Sequence, residues 1–161
     1  MTETESSHTE PKSNSGLRFS IIVSKYNASI TDRLAEGATD FLIKNGIERA
    51  SIEIHRVPGA WELPLAAKWS IESGRFDGVI VLGAVIKGET THDEHINRFV
   101  SMSSGQLSLD SGIPIAFGLL TCNTLQQAVE RAGGRVGNKG EEAAEAALEM
   151  VLLKDKFQLD T

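Results

Sequence analysis

The stretch Gly83-Ala84-Val85-Ile86-Lys87-Gly88-Glu89-Thr90-Thr91-His92 gathers several groups able to do chemistry. It begins in an apolar run, passes a glycine that permits tight backbone geometry, and ends on hydroxyls and an imidazole. Thr90 and Thr91 can cap a following helix, with Asp93 or Glu94 at capping-box distance. A helix start of this kind offers backbone N–H groups and the positive end of the helix dipole, a natural seat for an anion such as phosphate. Glu89 has the wrong charge for that task, so it would contribute its backbone N–H with its carboxylate turned away. His92 lies in the first helical turn, where an imidazole could exchange a proton with a bound ligand. The same residues also fit an ordinary strand-to-helix turn with a packing histidine, and spacing alone leaves both readings open.

Other candidates are scattered along the chain. Lys139, in Asn138-Lys139-Gly140, stands at the start of a helix, where a cation is disfavoured by about 0.3–1 kcal/mol. That placement suggests a grip on an anionic group, or else a solvated lysine. Arg131 falls near a helix C-terminus, a favourable place for any cation, although its planar fork suits phosphate. Tyr26, Trp61 and Phe117 could stack on a flat ring or simply pack. Glu62 could bond hydroxyl groups or favour the start of its helix. Trp69 is expected in the core.

These residues need a scaffold, and the hydrophobic pattern supplies one. Strands are predicted at Arg18–Ser24, Ser51–Val57, Gly78–Ala84 and Pro114–Leu120; the third is almost wholly apolar, as in a sheet buried on both faces. Helices are predicted from Ile30 to Leu42, with Gly46 as a stop, and over Trp61–Ser73, with Pro64 tolerated in the first turn. Further helices are expected over Thr91–Asp110, Thr124–Ala132 and from Asn138 to about Phe157. Strands alternating with helices imply one α/β domain, a mostly parallel four-stranded sheet between two helical layers. Ligands of such sheets sit beyond the carboxyl ends of the strands. That rule points at Tyr26-Asn27, Pro58 to Glu62, Ala84 to His92 and Phe117 to Thr121, the segments that also carry the unusual residues.

Composition narrows the classes. A chain of 161 residues with net charge −6 and no basic stripe makes a nucleic-acid partner a poor expectation. One cysteine, Cys122, excludes an intrachain disulfide. His92 and His95 could share a helix face, but a two-histidine metal site needs further ligands, and no metal is expected. No run of about 18 apolar residues is present, so no membrane span is expected. Residues 1–16 are polar, with no apolar core of a signal peptide, and read as a disordered tail before a domain over residues 17–161. The expected location is the cytoplasm.

Several of these motifs, in this order, resemble the lumazine synthase family. The matching stretches are Ser24-Lys25-Tyr26-Asn27, Val57-Pro58-Gly59-Ala60-Trp61-Glu62-Leu63-Pro64, Leu82 through His92, and Ala116-Phe117-Gly118-Leu119-Leu120-Thr121. Gln127-Ala128-Val129-Glu130-Arg131-Ala132-Gly133 and Gly137-Asn138-Lys139-Gly140 complete the set. The resemblance implies a flavodoxin-like three-layer sandwich. It also implies the condensation of 5-amino-6-(D-ribitylamino)uracil with 3,4-dihydroxy-2-butanone 4-phosphate to 6,7-dimethyl-8-ribityllumazine, the penultimate step of riboflavin synthesis, without a cofactor. By the family pattern Tyr26 stacks on the pyrimidine, and Asn27 also binds substrate. Ala60, Trp61 and Glu62 hold the ribityl chain and pyrimidine. Ala84, Val85 and Ile86 contact the ring through backbone, and Glu89, Thr90 and Arg131 bind phosphate. His92 is the acid/base, and Phe117, Arg131 and Lys139 come from a neighbouring subunit. A homo-oligomer is therefore implied: a pentamer, in shell-forming members an icosahedral capsid, with riboflavin synthase as a partner enzyme. The run Asp93-Glu94-His95 departs from the family, which often has an aromatic residue after the histidine. Two rival readings stand beside this one, an FMN-holding electron carrier and a shell protein without catalysis.

Overall fold

The computed structural model describes residues 13–159. Most of the expected tail lies outside them. Its last residues are ordered: Asn14–Gly16 form a 3-10 turn, and the Asn14 side-chain amide donates to the Asn45 carbonyl at 2.8 Å.

Four strands, β1 (Phe19–Ser24), β2 (Ile52–Val57), β3 (Gly78–Ile86) and β4 (Ile115–Cys122), form a sheet in the order β2-β1-β3-β4. Every pairing is parallel. Helices α1 (Ala28–Lys44), α2 (Leu63–Glu72), α3 (His92–Ser111), α4 (Leu125–Arg131) and α5 (Lys139–Leu159) follow the strands, and a short hairpin, β5 (Ala132–Gly134) and β6 (Gly137–Asn138), precedes the last helix.

Strand periodicity sorts the core into two layers. Ile21, Val23, Ile80 and Leu82 pack with Leu34, Ala38 and Leu42 of α1, Ala128 of α4, and Ala144, Ala147 and Leu148 of α5. Their strand neighbours Ile22, Val79 and Val81 point the other way, onto Leu63 and Ala67 of α2 and Val100 of α3. All six residues of β1 are buried, as expected of an inner strand covered on both faces. The α/β three-layer sandwich expected from the sequence is the observed architecture.

Helices α1 and α5 approach closely because Gly140 has no side chain. A Cβ there would meet the Leu34 carbonyl oxygen at 1.9 Å. Asn138 closes the same corner. Its Oδ1 accepts from the Gly140 and Glu141 amides, which caps α5, and its Nδ2 donates to the Arg33 carbonyl.

The structure corrects two local expectations and adds a hairpin. β3 and β4 extend past Ala84 and Leu120, because Val85 pairs with Thr121 and Ile86 with Cys122. The link from Gly133 to Asn138 contains the β5–β6 hairpin, too short to leave a period in the sequence. Trp69 is not in the core but 61% exposed, since α2 buries Leu63, Pro64, Ala67 and Ser70 and turns Trp69 away from that stripe.

Candidate active site

The carboxyl ends of β1, β2 and β3 open onto one groove of about 520 Å³. Its walls are Tyr26, the segment Pro58 to Glu62, the end of β3 from Ala84 to Ile86, Gly88 and Thr90 of the following turn, and His92, Asp93 and Ile96 of α3. The lining is mostly apolar with a few polar groups, the usual make-up of a small-molecule site.

Each wall has a local cause. After β1 the chain is zipped to the turn after β2: Lys25 N–H donates to the Val57 carbonyl at 2.7 Å and Tyr26 N–H to the Pro58 carbonyl at 3.2 Å. The Tyr26 ring, 73% exposed, is thereby held beside Pro58–Ala60. Asn27 then takes a left-handed conformation, with φ of 63°, to enter α1. β1 pairs with β3 only as far as Leu82. Beyond that point the Asn27 amide donates to the Ala84 carbonyl at 2.9 Å and so takes the place of a partner strand along β3. Asn27 is thus a tie behind the groove rather than part of its lining.

The turn after β2 folds as a 3-10 turn, Ala60–Glu62, before α2. The Glu62 carboxylate accepts from Gly59 N–H at 3.0 Å, which fixes the turn and places the carboxylate in the groove wall. The Trp61 indole, 52% exposed, stacks on the Phe99 ring of α3 at 3.9 Å between centroids and 28° between planes.

The start of α3 forms another wall of the groove. Thr91 occupies the N-cap position without a side-chain bond; the Thr90 hydroxyl accepts from His92 N–H instead, at 3.3 Å. Gly88, Thr90 and the helix N-terminus form a setting suited to an anion. His92 stands one residue beyond, exposed and facing the groove. Asp93 also lines it, with Oδ1 buried and without a hydrogen-bond partner. His95 is exposed and does not line the groove.

Of the residues singled out in the sequence, Tyr26, Ala60, Trp61, Glu62, Ala84, Val85, Ile86, Thr90 and His92 are brought together here. Glu89, Phe117, Arg131 and Lys139 are not in the lining. Phe117 is 39% exposed on β4, Arg131 donates to the Gln127 carbonyl at 3.1 Å, and Lys139 is 4.0 Å from Glu142. Arg131 also lies close enough to Cys122 to act on its thiol, but burial dominates and pushes that thiol above its ordinary value. Pro58, Gly59 and Gly88, inside the segments indicated by the strand-end rule, also line the groove, as do Asp93 and Ile96, which lie outside those segments. Phe99 was missed altogether, although its spacing of seven from His92 puts the two on one helix face.

Residues 16–155 match the family described as 6,7-dimethyl-8-ribityllumazine synthase. The chain belongs to that family. A 6,7-dimethyl-8-ribityllumazine synthase of Syntrophus aciditrophicus (strain SB) is 52% identical over 136 residues, 84% of this chain and 88% of that protein. One of Nitratidesulfovibrio vulgaris (strain DP4) is 47% identical over 142 residues, 88% of this chain and 91% of that protein. The matched span includes every strand of the four-stranded sheet and all the residues that line the groove.

Proposed function

We propose that the groove is where this lumazine synthase-family enzyme condenses 5-amino-6-(D-ribitylamino)uracil with 3,4-dihydroxy-2-butanone 4-phosphate, giving 6,7-dimethyl-8-ribityllumazine, phosphate and water. The observation that carries the reading is the pairing of two unlike ends in one cavity. One end is a ring-sized apolar wall of Tyr26, Trp61 and strand backbone; the other is a helix N-terminus with Thr90 and His92. The pyrimidine lies against the first, with its ribityl hydroxyls toward Glu62. The phosphoryl group lies at the second, where the Glu89 and Thr90 backbone receives it. His92, between them, moves protons during imine formation, loss of phosphate and ring closure.

The protein's main contribution is then positional. Holding two reactants in attack geometry is worth up to roughly 7–11 kcal/mol, whereas a proton-transfer group adds about 10²–10⁴-fold. No cofactor takes part in this scheme.

A single chain leaves the phosphate end without a basic side chain, since Arg131 and Lys139 are outside the lining. A second copy of the chain completes the site, bringing Phe117, Arg131 and Lys139 to the groove of its neighbour. Exposed Leu65 and Trp69 on α2 and Met102 and Leu109 on α3 support an oligomer that covers this apolar face. The pentamer, its assembly into a shell, riboflavin synthase as a partner and a cytoplasmic location belong to the same proposal.

Complementation tests the shared site. His92→Ala and Arg131→Ala chains are each assayed alone and then co-assembled in equal amounts. If the two residues come from different subunits, about a quarter of the interfaces in a random mixture carry both native residues, and activity returns in that proportion. If they act within one chain, mixing restores nothing.

A further inference from the structure

One aromatic pair in the site lies partly outside the groove. Trp61 sits in the 3-10 turn after β2 with half of its surface exposed, so its indole is covered by the chain on one side only. The cover on that side is the Phe99 ring, stacked on it at 3.9 Å. Phe99 does not line the groove, and it lies about 10 Å along the α3 axis from His92, too far to touch the reacting carbons. Yet His92, Ile96 and Phe99 are spaced four and three apart, so they share one face of α3, and the first two line the groove.

We infer that Phe99 is a positioning residue that holds the Trp61 indole as a wall of the groove and thereby sets the affinity for the ring-bearing substrate. This rests on the reaction proposed above. The clamp acts on the ribitylaminouracil and not on the phosphorylated ketone, because the scheme above seats the ring against Tyr26 and Trp61 and the phosphoryl group at the start of α3. Truncating Phe99 frees the indole to occupy several positions, of which only one suits the bound pyrimidine, and binding weakens by the fraction of time spent elsewhere. A stacked aromatic pair holds its geometry with a strength that converts to about 2- to 12-fold in affinity.

The test uses the full chain with Phe99→Ala, Phe99→Leu and Phe99→Tyr. Steady-state rates are measured with each substrate varied in turn. The Ala and Leu variants should raise KM for 5-amino-6-(D-ribitylamino)uracil by about 2- to 12-fold, with kcat and the other KM changed by less than about twofold. Phe99→Tyr, which keeps the ring, should behave as the native chain. The chain has two tryptophans, so a Trp69→Phe background leaves Trp61 as the sole tryptophan, excited at the red edge where tyrosine does not absorb. There Phe99→Ala should increase acrylamide quenching of Trp61 without substrate, and Phe99→Tyr should not. Unchanged KM and quenching in Phe99→Ala would overturn the inference. So would an equal loss for both substrates, or a Tyr variant as defective as the Ala variant. Should the native chain make no lumazine, the reaction fails, and the quenching pair still decides whether Phe99 holds Trp61.

Discussion

Asn27 offers a substitution series in which two physical terms can be separated. Its backbone is left-handed, with φ of 63°, and its amide holds the Ala84 carbonyl at 2.9 Å where β3 has outrun β1. A side chain with an ordinary Cβ costs about 1–2 kcal/mol in that conformation, less for asparagine and essentially nothing for glycine. The lost hydrogen bond costs about 1–3 kcal/mol if the acceptor is left buried without a partner, and Ala84 is 3% exposed. Asn27→Ala loses both terms, about 2–5 kcal/mol in all. Asn27→Gly loses only the second, about 1–3 kcal/mol, and should be the more stable of the two by about 1 kcal/mol. For a chain of this length each kcal/mol corresponds to about 2–4 °C in Tm. Thermal unfolding at one fixed protein concentration reads the difference, since assembly makes Tm concentration-dependent. A glycine variant no more stable than the alanine variant would show that the backbone conformation carries no cost here, and the reasoning would be wrong.

His92→Ala should lower kcat by no more than about 10²–10⁴-fold and leave measurable turnover, because most of the acceleration comes from holding the substrates together; steady-state kinetics reads this. Gly140→Ala drives a methyl group into the Leu34 carbonyl, and since backbone atoms cannot step aside, α1 and α5 must part; a loss of about 1–3 kcal/mol or more is expected in denaturant unfolding. The Arg75 guanidinium, bonded to Glu53, holds that carboxyl below its ordinary 4.5. The stability it adds is therefore complete above that value and lost as pH falls through the lower, folded-state value. Glu53→Gln should cost up to about 1 kcal/mol at neutral pH, and the gap from the native chain should close below about pH 4.5, as measured by unfolding across pH.

Much of this architecture was written locally. The apolar run of β3, the glycine stops after α1 and α2 and the cap at Asn138 each follow from a short-range rule, and together they place the loops that form the groove. What stayed hidden depends on partners distant in the chain. β3 ends at Ile86 rather than Ala84 because β4 runs alongside it, and nothing within β3 says so. Nor does anything near Asn27 in the chain announce that its amide bonds to Ala84, 57 residues away. Trp69 reads as core because large apolar residues usually are, while its helix buries a stripe of smaller neighbours. Phe99 was within reach of sequence reasoning through its spacing from His92, but only Trp61 on the facing turn gives that spacing a meaning.

The central claim is that two reactants are joined in one groove, the ring against Tyr26 and Trp61 and the phosphoryl group at the start of α3. Mixing the purified chain with 5-amino-6-(D-ribitylamino)uracil and 3,4-dihydroxy-2-butanone 4-phosphate tests it most directly, with lumazine fluorescence and released phosphate followed together. Both should appear at the same rate, one phosphate for each lumazine. No lumazine, under conditions where the Syntrophus aciditrophicus relative turns over, would contradict it.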